Sequence, residues 1–266
     1  MRKEWSISLA VVAGLAALCL AACGQQKPEQ RISIGLAAEP APVIAHDDAM
    51  HAATLPQPRY GSVRERVRQY GGAVRACWKP YFAKQGIPYP PARVLLLGIK
   101  DADILEVYAA KKYGGWTYIR AYPILAASGT LGPKLRENDG QVPEGRYGID
   151  VLNPNSAYHL SLHLNYPTAF DRRMARRDGR RKLGGDIMIH GNHVSAGCLA
   201  MGDAVAEDLF ILAADTGIAN VKVLLTPVDF RLRNLPADLP RQPAWTADLY
   251  KQLKKDLQSL PLPGRK

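Results

Sequence analysis

Ile189-His190-Gly191-Asn192-His193-Val194-Ser195-Ala196-Gly197-Cys198 is the stretch around which the rest of the chain arranges itself. Residues 186–190 read as a strand. A polar loop holding two glycines follows. From Asp203 the spacing turns helical, with Val205, Leu209, Leu212 and Ala213 on one face and Asp203 placed as the cap. Strand, loop and helix in that order present Cys198 at the edge of an element. The thiolate is the reactive form of cysteine, and a nearby imidazole can take the thiol proton. His190, at the end of the strand, is placed to do so across the loop. Gly191 and Gly197 permit close backbone approach. The N–H groups around Gly197 and Cys198 are candidates for an oxyanion site. Ser195 either donates to a substrate or braces the loop. Spacing alone decides little, because a histidine and a cysteine this close are commonly incidental. His190, His193 and Cys198 also read as zinc ligands, although a fourth ligand and the paired spacing of strong zinc motifs are missing.

The flanking sequence supplies a sheet. Helical spacing runs from Ser62 to about Lys84 through Val63, Val67, Tyr70, Val74, Cys77 and Trp78, and Gly86 with the Pro88/Pro90/Pro91 cluster ends it. The apolar, β-forming run at 93–99 reads as a strand. So do 103–109 and 117–124, with Gly114-Gly115 as the turn, and 146–151, 157–164 and 220–225. Leu249, Leu253 and Leu257 lie on one side of a helix over 246–260. Strands and helices do not alternate regularly, so the expected class is α+β and centred on sheet rather than doubly wound.

The two ends bound the setting. Arg2 and Lys3 precede an apolar run, Ile7 to Leu20, that is short for a membrane anchor and ends in Leu20-Ala21-Ala22-Cys23. Small residues before a cysteine suit a lipoprotein signal peptidase, so residues 1–22 are expected to be an export signal and Cys23 the lipidated residue. An ordinary secretory signal is the alternative. Residues 23–58, rich in Pro, Ala and Gln, read as a flexible tether. Residues 59–266 are expected to be one domain with its core at 93–226. The expected location is the cell envelope, with the chain held at a membrane by its lipid, and the outer membrane is favoured in a Gram-negative cell.

The net charge is +11. Such a charge suggests nucleic acid, but export argues against that partner and for the anionic polymers and lipids of the envelope. In an oxidising compartment Cys77 and Cys198 are a possible disulfide pair. The expectation is instead that Cys77 is a buried free thiol and that Cys198 stays reactive.

His-Gly, a short spacer and then Ser-x-Gly-Cys resembles the active-site signature of the L,D-transpeptidases, the YkuD-type domain. Ser128-Gly129-Thr130-Leu131-Gly132-Pro133-Lys134 followed by Asp139-Gly140-Gln141-Val142-Pro143-Glu144-Gly145-Arg146-Tyr147 is similar to the family's cleft-lining turn. Tyr158-His159-Leu160-Ser161, and Asn165-Tyr166-Pro167 with Asp171, resemble its YafK-like branch. The resemblance runs from about Arg93 to Leu225 in consistent order. It implies Cys198 as nucleophile and His190 as base, with Gly191, Ser195 and Gly197 in the active loop. The implied reaction is acyl transfer on peptidoglycan stem peptides, or on the link to a wall-anchored lipoprotein, with no metal or organic cofactor. Two departures stand out. Ala196 replaces a second histidine that many members carry. Ala200 replaces an arginine, and with it a fixed bidentate carboxylate contact. Members of the branch include hydrolases of wall–lipoprotein links, so crosslinking and hydrolysis both fit; a silent wall-binding protein is the non-enzymatic alternative.

The remaining candidates carry weaker signals. Lys134, Glu144 and Arg146 either face a zwitterionic peptide in the cleft or belong to a solvated hairpin. His159 and His163, four apart in a strand, are expected to share a face, with His159 bordering the cleft. The basic run from Arg172 to Lys182 reads first as a solvated loop and second as a dock for anionic wall or lipid.

Overall fold

Strand β1 (Arg93–Ile99) is a continuous apolar run, and six of its seven residues are buried. Such a strand needs cover on both faces, and it has it. Val94 and Leu96 enter the core under helices α1 (Val63–Lys84) and α3 (Asp203–Thr216). Leu95, Leu97 and Ile99 enter a second core under α4 (Thr246–Gln258). This computed structural model describes residues 61–237, 239 and 241–263. The expected signal, the lipidation site at Cys23 and the tether lie outside the described residues.

The chain runs α1, β1, β2 (Ile104–Ala110), β3 (Thr117–Pro123), β4 (Ala126–Ala127), β5 (Gly145–Ser156), β6 (His159–Leu164), α2 (Ala169–Arg177), β7 (Met188–His190), β8 (Leu199–Ala200), α3, β9 (Val221–Thr226) and α4. The sheet order is β3-β2-β1-β9-β5-β6-β7-β8-β4. Its curl comes from β5. Residues 145–148 pair with β9, and from Ile149 onward the strand pairs with β6 through register shifts. Bulges of this kind bend a strand and raise its twist. The nine strands curl with four flanking α-helices among the described residues, as the α+β, sheet-centred expectation held.

Local sequence explains the helix starts. Ser62 caps α1 in a reciprocal box with Glu65. Pro80 sits inside α1, yet the helix continues to Lys84. Trp78 of α1 is fully buried and donates from its indole to Asp208 O of α3, 3.0 Å away, which locks the two helices together. The cap of α3 is Gly202 rather than Asp203, whose carboxylate is engaged elsewhere.

The arginine run is the largest departure from expectation. It is not an irregular loop; most of it is α2, opened by a second box between Thr168 and Asp171. Met174 and Ala175 are its buried residues, which is too thin an apolar stripe for periodicity to reveal. His159 and His163 also part company. His159 has a left-handed backbone (φ 70°), and its ring turns to Glu207 of α3, whereas His163 meets Asp150 and Asp186.

Candidate active site

The pairing of β6, β7 and β8 sets up the site. In β7 Ile189 points into the core and pairs with Leu199 of β8. Side chains alternate along a strand, so Met188 and His190 point to the opposite face. Ser161 lies across from His190, and His163 across from Met188. The parallel register of β7 and β8, run back one residue, sets Cys198 beside Met188 on that same face. A nucleophile and an imidazole eight residues apart in sequence therefore share one surface of the sheet, away from α1 and α3.

The loop between them is held from several sides. Gly191 has no room for a side chain: a Cβ there would lie 2.5 Å from Asp203 Oδ1 and 2.7 Å from Tyr158 O. Asn192 N–H donates to Asp203 Oδ1 at 2.8 Å, and Gly202 N–H to Asn192 O at 2.9 Å. Ser195 Oγ accepts the Cys198 N–H (3.1 Å) and donates to Cys198 O (2.6 Å). Ser195 thus braces the loop. The Cys198 N–H, an expected oxyanion donor, is occupied by that hydroxyl. Gly197 has φ 110°, and a Cβ there would lie 3.5 Å from Gln141 O.

Both reactive groups rest in neutral forms. His190 is 1% exposed, and its ring stacks on Tyr158 with centroids 4.6 Å apart. Its Nδ1 lies 2.6 Å from Gly191 O. A carbonyl only accepts, so Nδ1 carries the proton and Nε2 keeps its lone pair. Burial pulls the imidazole below its ordinary value, and the Gly191 bond opposes this in part. Cys198 is a half-buried free thiol whose Sγ lies 3.5 Å from Asp186 O. Burial pushes the thiol up; the Met188 N–H lowers it, the Asp186 charge raises it and the Lys134 ammonium lowers it. Among the described residues the thiol's hydrogen-bond acceptor is the Asp186 carbonyl, not the imidazole. The arrangement is a thiol beside a neutral base, not a preformed thiolate–imidazolium pair.

Other expected site residues lie elsewhere. Glu144 is fully buried: Oε1 accepts from Lys100 Nζ (3.0 Å) and Gly132 N–H (2.7 Å), and Oε2 from Tyr250 (2.6 Å). Arg146 reaches α4, pairing with Asp256 at 2.5 Å and Gln252 at 2.9 Å. His159 contacts Glu207 at 2.8 Å and the edge of Tyr70. None of these three faces the thiol. Lys134 is buried within its own turn, donating to Asp139 (2.6 Å) and Arg136 O (3.0 Å), but its charge reaches Cys198. The expected buried free thiol at Cys77 is also corrected. Cys77 is half-buried and disulfide-bonded, whereas Cys198 is free, so these two do not pair with each other. His193 is exposed, and no cluster of three or more His, Cys, Asp or Glu that could hold a metal occurs among the described residues.

Lys100 and Asp186 carry weight that sequence reading did not assign. Lys100 Nζ donates to Thr130 O, Gly132 O, Val142 O and Glu144, pinning the 129–144 loop. Gln141 of that loop, bound to Thr130 O and Gly132 O at 2.5 Å each, faces the Cα of Gly197 with its backbone, at 3.5 Å from where a Cβ would stand. A single lysine at a strand end gives no sequence signal for this. Asp186 has φ 54°, a backbone that Asp and Asn tolerate better than most residues.

A curled α+β sheet that carries a cysteine and a histidine on one face sets the context for comparison with known domains. Residues 98–224 match the YkuD family model, the L,D-transpeptidase catalytic domain. YafK of Escherichia coli strain K12 is 34% identical over 113 residues, which cover 42% of this chain and 43% of that protein. YafK of Escherichia coli O157:H7 matches equally. The chain thus spans under half the length of the curated relatives it matches. Among solved structures, the helical cell shape determining protein Pgp2 of Campylobacter jejuni is 23% identical, with a TM-score of 0.42, over 50% of this chain and 47% of that one. Bd1075 of Bdellovibrio bacteriovorus is 21% identical, with a TM-score of 0.38, over 62% and 54%.

Proposed function

We propose that the chain is a cysteine acyltransferase acting on peptidoglycan stem peptides, with Cys198 as nucleophile and His190 as base. One observation carries the reading: in a domain that matches the YkuD family model, a free thiol shares a sheet face with a neutral imidazole whose Nε2 makes no hydrogen bond among the described residues. The thiol proton passes to His190 Nε2 as Sγ attacks the carbonyl that follows the L-centre of diaminopimelate. The carbonyl–nitrogen bond breaks, and the leaving amine takes the proton from the imidazolium. That amine is D-alanine or a lysine ε-amine of a wall-bound lipoprotein. The thioester then passes its acyl group to an acceptor amine, giving a crosslink, or to water, giving a free end. Gly191, Ser195 and Gly197 hold the loop that carries the thiol, and Lys134 supplies a cation near it. The proposed setting is the cell envelope.

Product analysis tests this reading. Sacculi incubated with the purified protein should yield diaminopimelate–diaminopimelate crosslinks, shortened stems if hydrolysis wins, or released lipoprotein ends. Cys198→Ala should abolish them all. Unchanged turnover by that variant would sink the proposal.

A further inference from the structure

Helix α2 and the turn after it present an unneutralised cationic face. Arg173, Arg176, Arg177, Arg181 and Lys182 are exposed, and none makes an ion pair among the described residues. The acids nearby are committed elsewhere. Asp171 closes the helix-capping box, and Asp178 binds Arg180 and the Trp245 indole, both at 2.8 Å. Arg180 is fixed by that bond and by Leu135 O at 2.7 Å. Exposed Glu137 abuts Gly184 and donates its N–H to Lys182 O at 3.1 Å, but it forms no ion pair with the cations among the described residues.

The C-terminal end of this face lies close to the thiol in the chain. Lys182 is four residues from Asp186, whose carbonyl meets Cys198 Sγ. Four residues span at most about 14 Å, the length of an extended peptide of four residues. Guanidinium groups bind carboxylates bidentately. Apolar side chains for entering a bilayer are missing here: the exposed large hydrophobics among the described residues are Tyr113, Leu125, Val151, Tyr158, Val194 and Leu232, none of them on α2 or its turn. Such a face suits a polycarboxylate better than an inserted bilayer.

We propose that α2 and its following turn dock the carboxylate-bearing peptides of the wall polymer, holding neighbouring stems while one stem lies at Cys198. This rests on the wall-acting function proposed above. The test is sedimentation of the purified full chain with sacculi over a range of NaCl, which reads binding without turnover. The chain should co-sediment at low salt and be released as salt rises. Replacing Arg173, Arg176, Arg177 and Arg181 together by Gln should weaken binding about tenfold or more, while iodoacetamide labelling of Cys198 is unchanged. If the quadruple variant does not fold, the pairs Arg173→Gln/Arg176→Gln and Arg177→Gln/Arg181→Gln should each give part of the loss. Sacculi with amidated carboxylates should not bind. Cys198→Ala should bind like the parent, so a failure of the catalytic reading shows up separately. Undiminished binding by the Gln variants, or to amidated sacculi, overturns the proposal. Tighter binding to phosphatidylglycerol vesicles than to sacculi overturns the choice of partner.

Discussion

Cys198 Sγ lies 3.5 Å from the backbone carbonyl of Asp186, while the Asp186 carboxylate stands 91% exposed beside it. A carbonyl acceptor favours the protonated thiol, and the carboxylate charge acts in the same direction. Asp186→Asn keeps a residue that tolerates φ 54° and removes the charge. The pH at which iodoacetamide labels Cys198 half-maximally should move down in this variant. An unchanged or higher midpoint would contradict the electrostatic account.

The resting protonation states predict a particular pH profile. The thiol is raised above its ordinary value of 9.0, so alkylation of the parent protein should still be climbing at pH 9. A preformed ion pair would instead give a plateau near neutrality. The imidazole is held below its ordinary 6.5, so the base stays neutral into mildly acidic solution. Acyl transfer should therefore lose rate only below pH 6.5 on its acid side.

Gly191→Ala tests the packing of the loop. The new Cβ would press on Asp203 Oδ1 and on the Tyr158 backbone. Overpacking of this kind costs about 1–3 kcal/mol. Because Asp203 and Tyr158 also hold the loop and cover His190, activity should fall further than the melting temperature implies. Equal activity with a lower melting temperature would show that loop geometry does not govern the thiol.

Lys100→Met probes the support behind the cleft. Lys100 and Glu144 form a pair with side chains 7% and 0% exposed. Removing one partner of a buried pair costs about 3–5 kcal/mol, because the other charge is stranded. The denaturation midpoint should drop accordingly. The Lys100→Met/Glu144→Gln double variant should recover part of the loss, and additive losses would refute the pairing.

The parts of this fold legible in sequence were those built from local pattern. The apolar run at 93–99, the helix capped by Ser62, the strand ending at His190 and the helix from Asp203 all appear where their residues predict. Helix α2 was missed because arginines fill its outer face, although Thr168 and Asp171 at capping-box spacing were the available signal. Strands β4 and β8, two residues each, are too short for any periodicity. Glu144 and Arg146 adjoin the family motif in sequence but turn to Lys100 and α4, partners 44 and 110 positions away in the chain. The Lys100–Glu144–Tyr250 contacts link residues up to 150 positions apart, which no local pattern records.

Intact-mass measurement of the full chain mixed with a soluble stem peptide ending in D-alanine tests the central claim most directly. The account predicts an adduct equal to the peptide less its D-alanine, mapped to Cys198 and absent from Cys198→Ala. Release of D-alanine by the Cys198→Ala variant at the parent rate would contradict it.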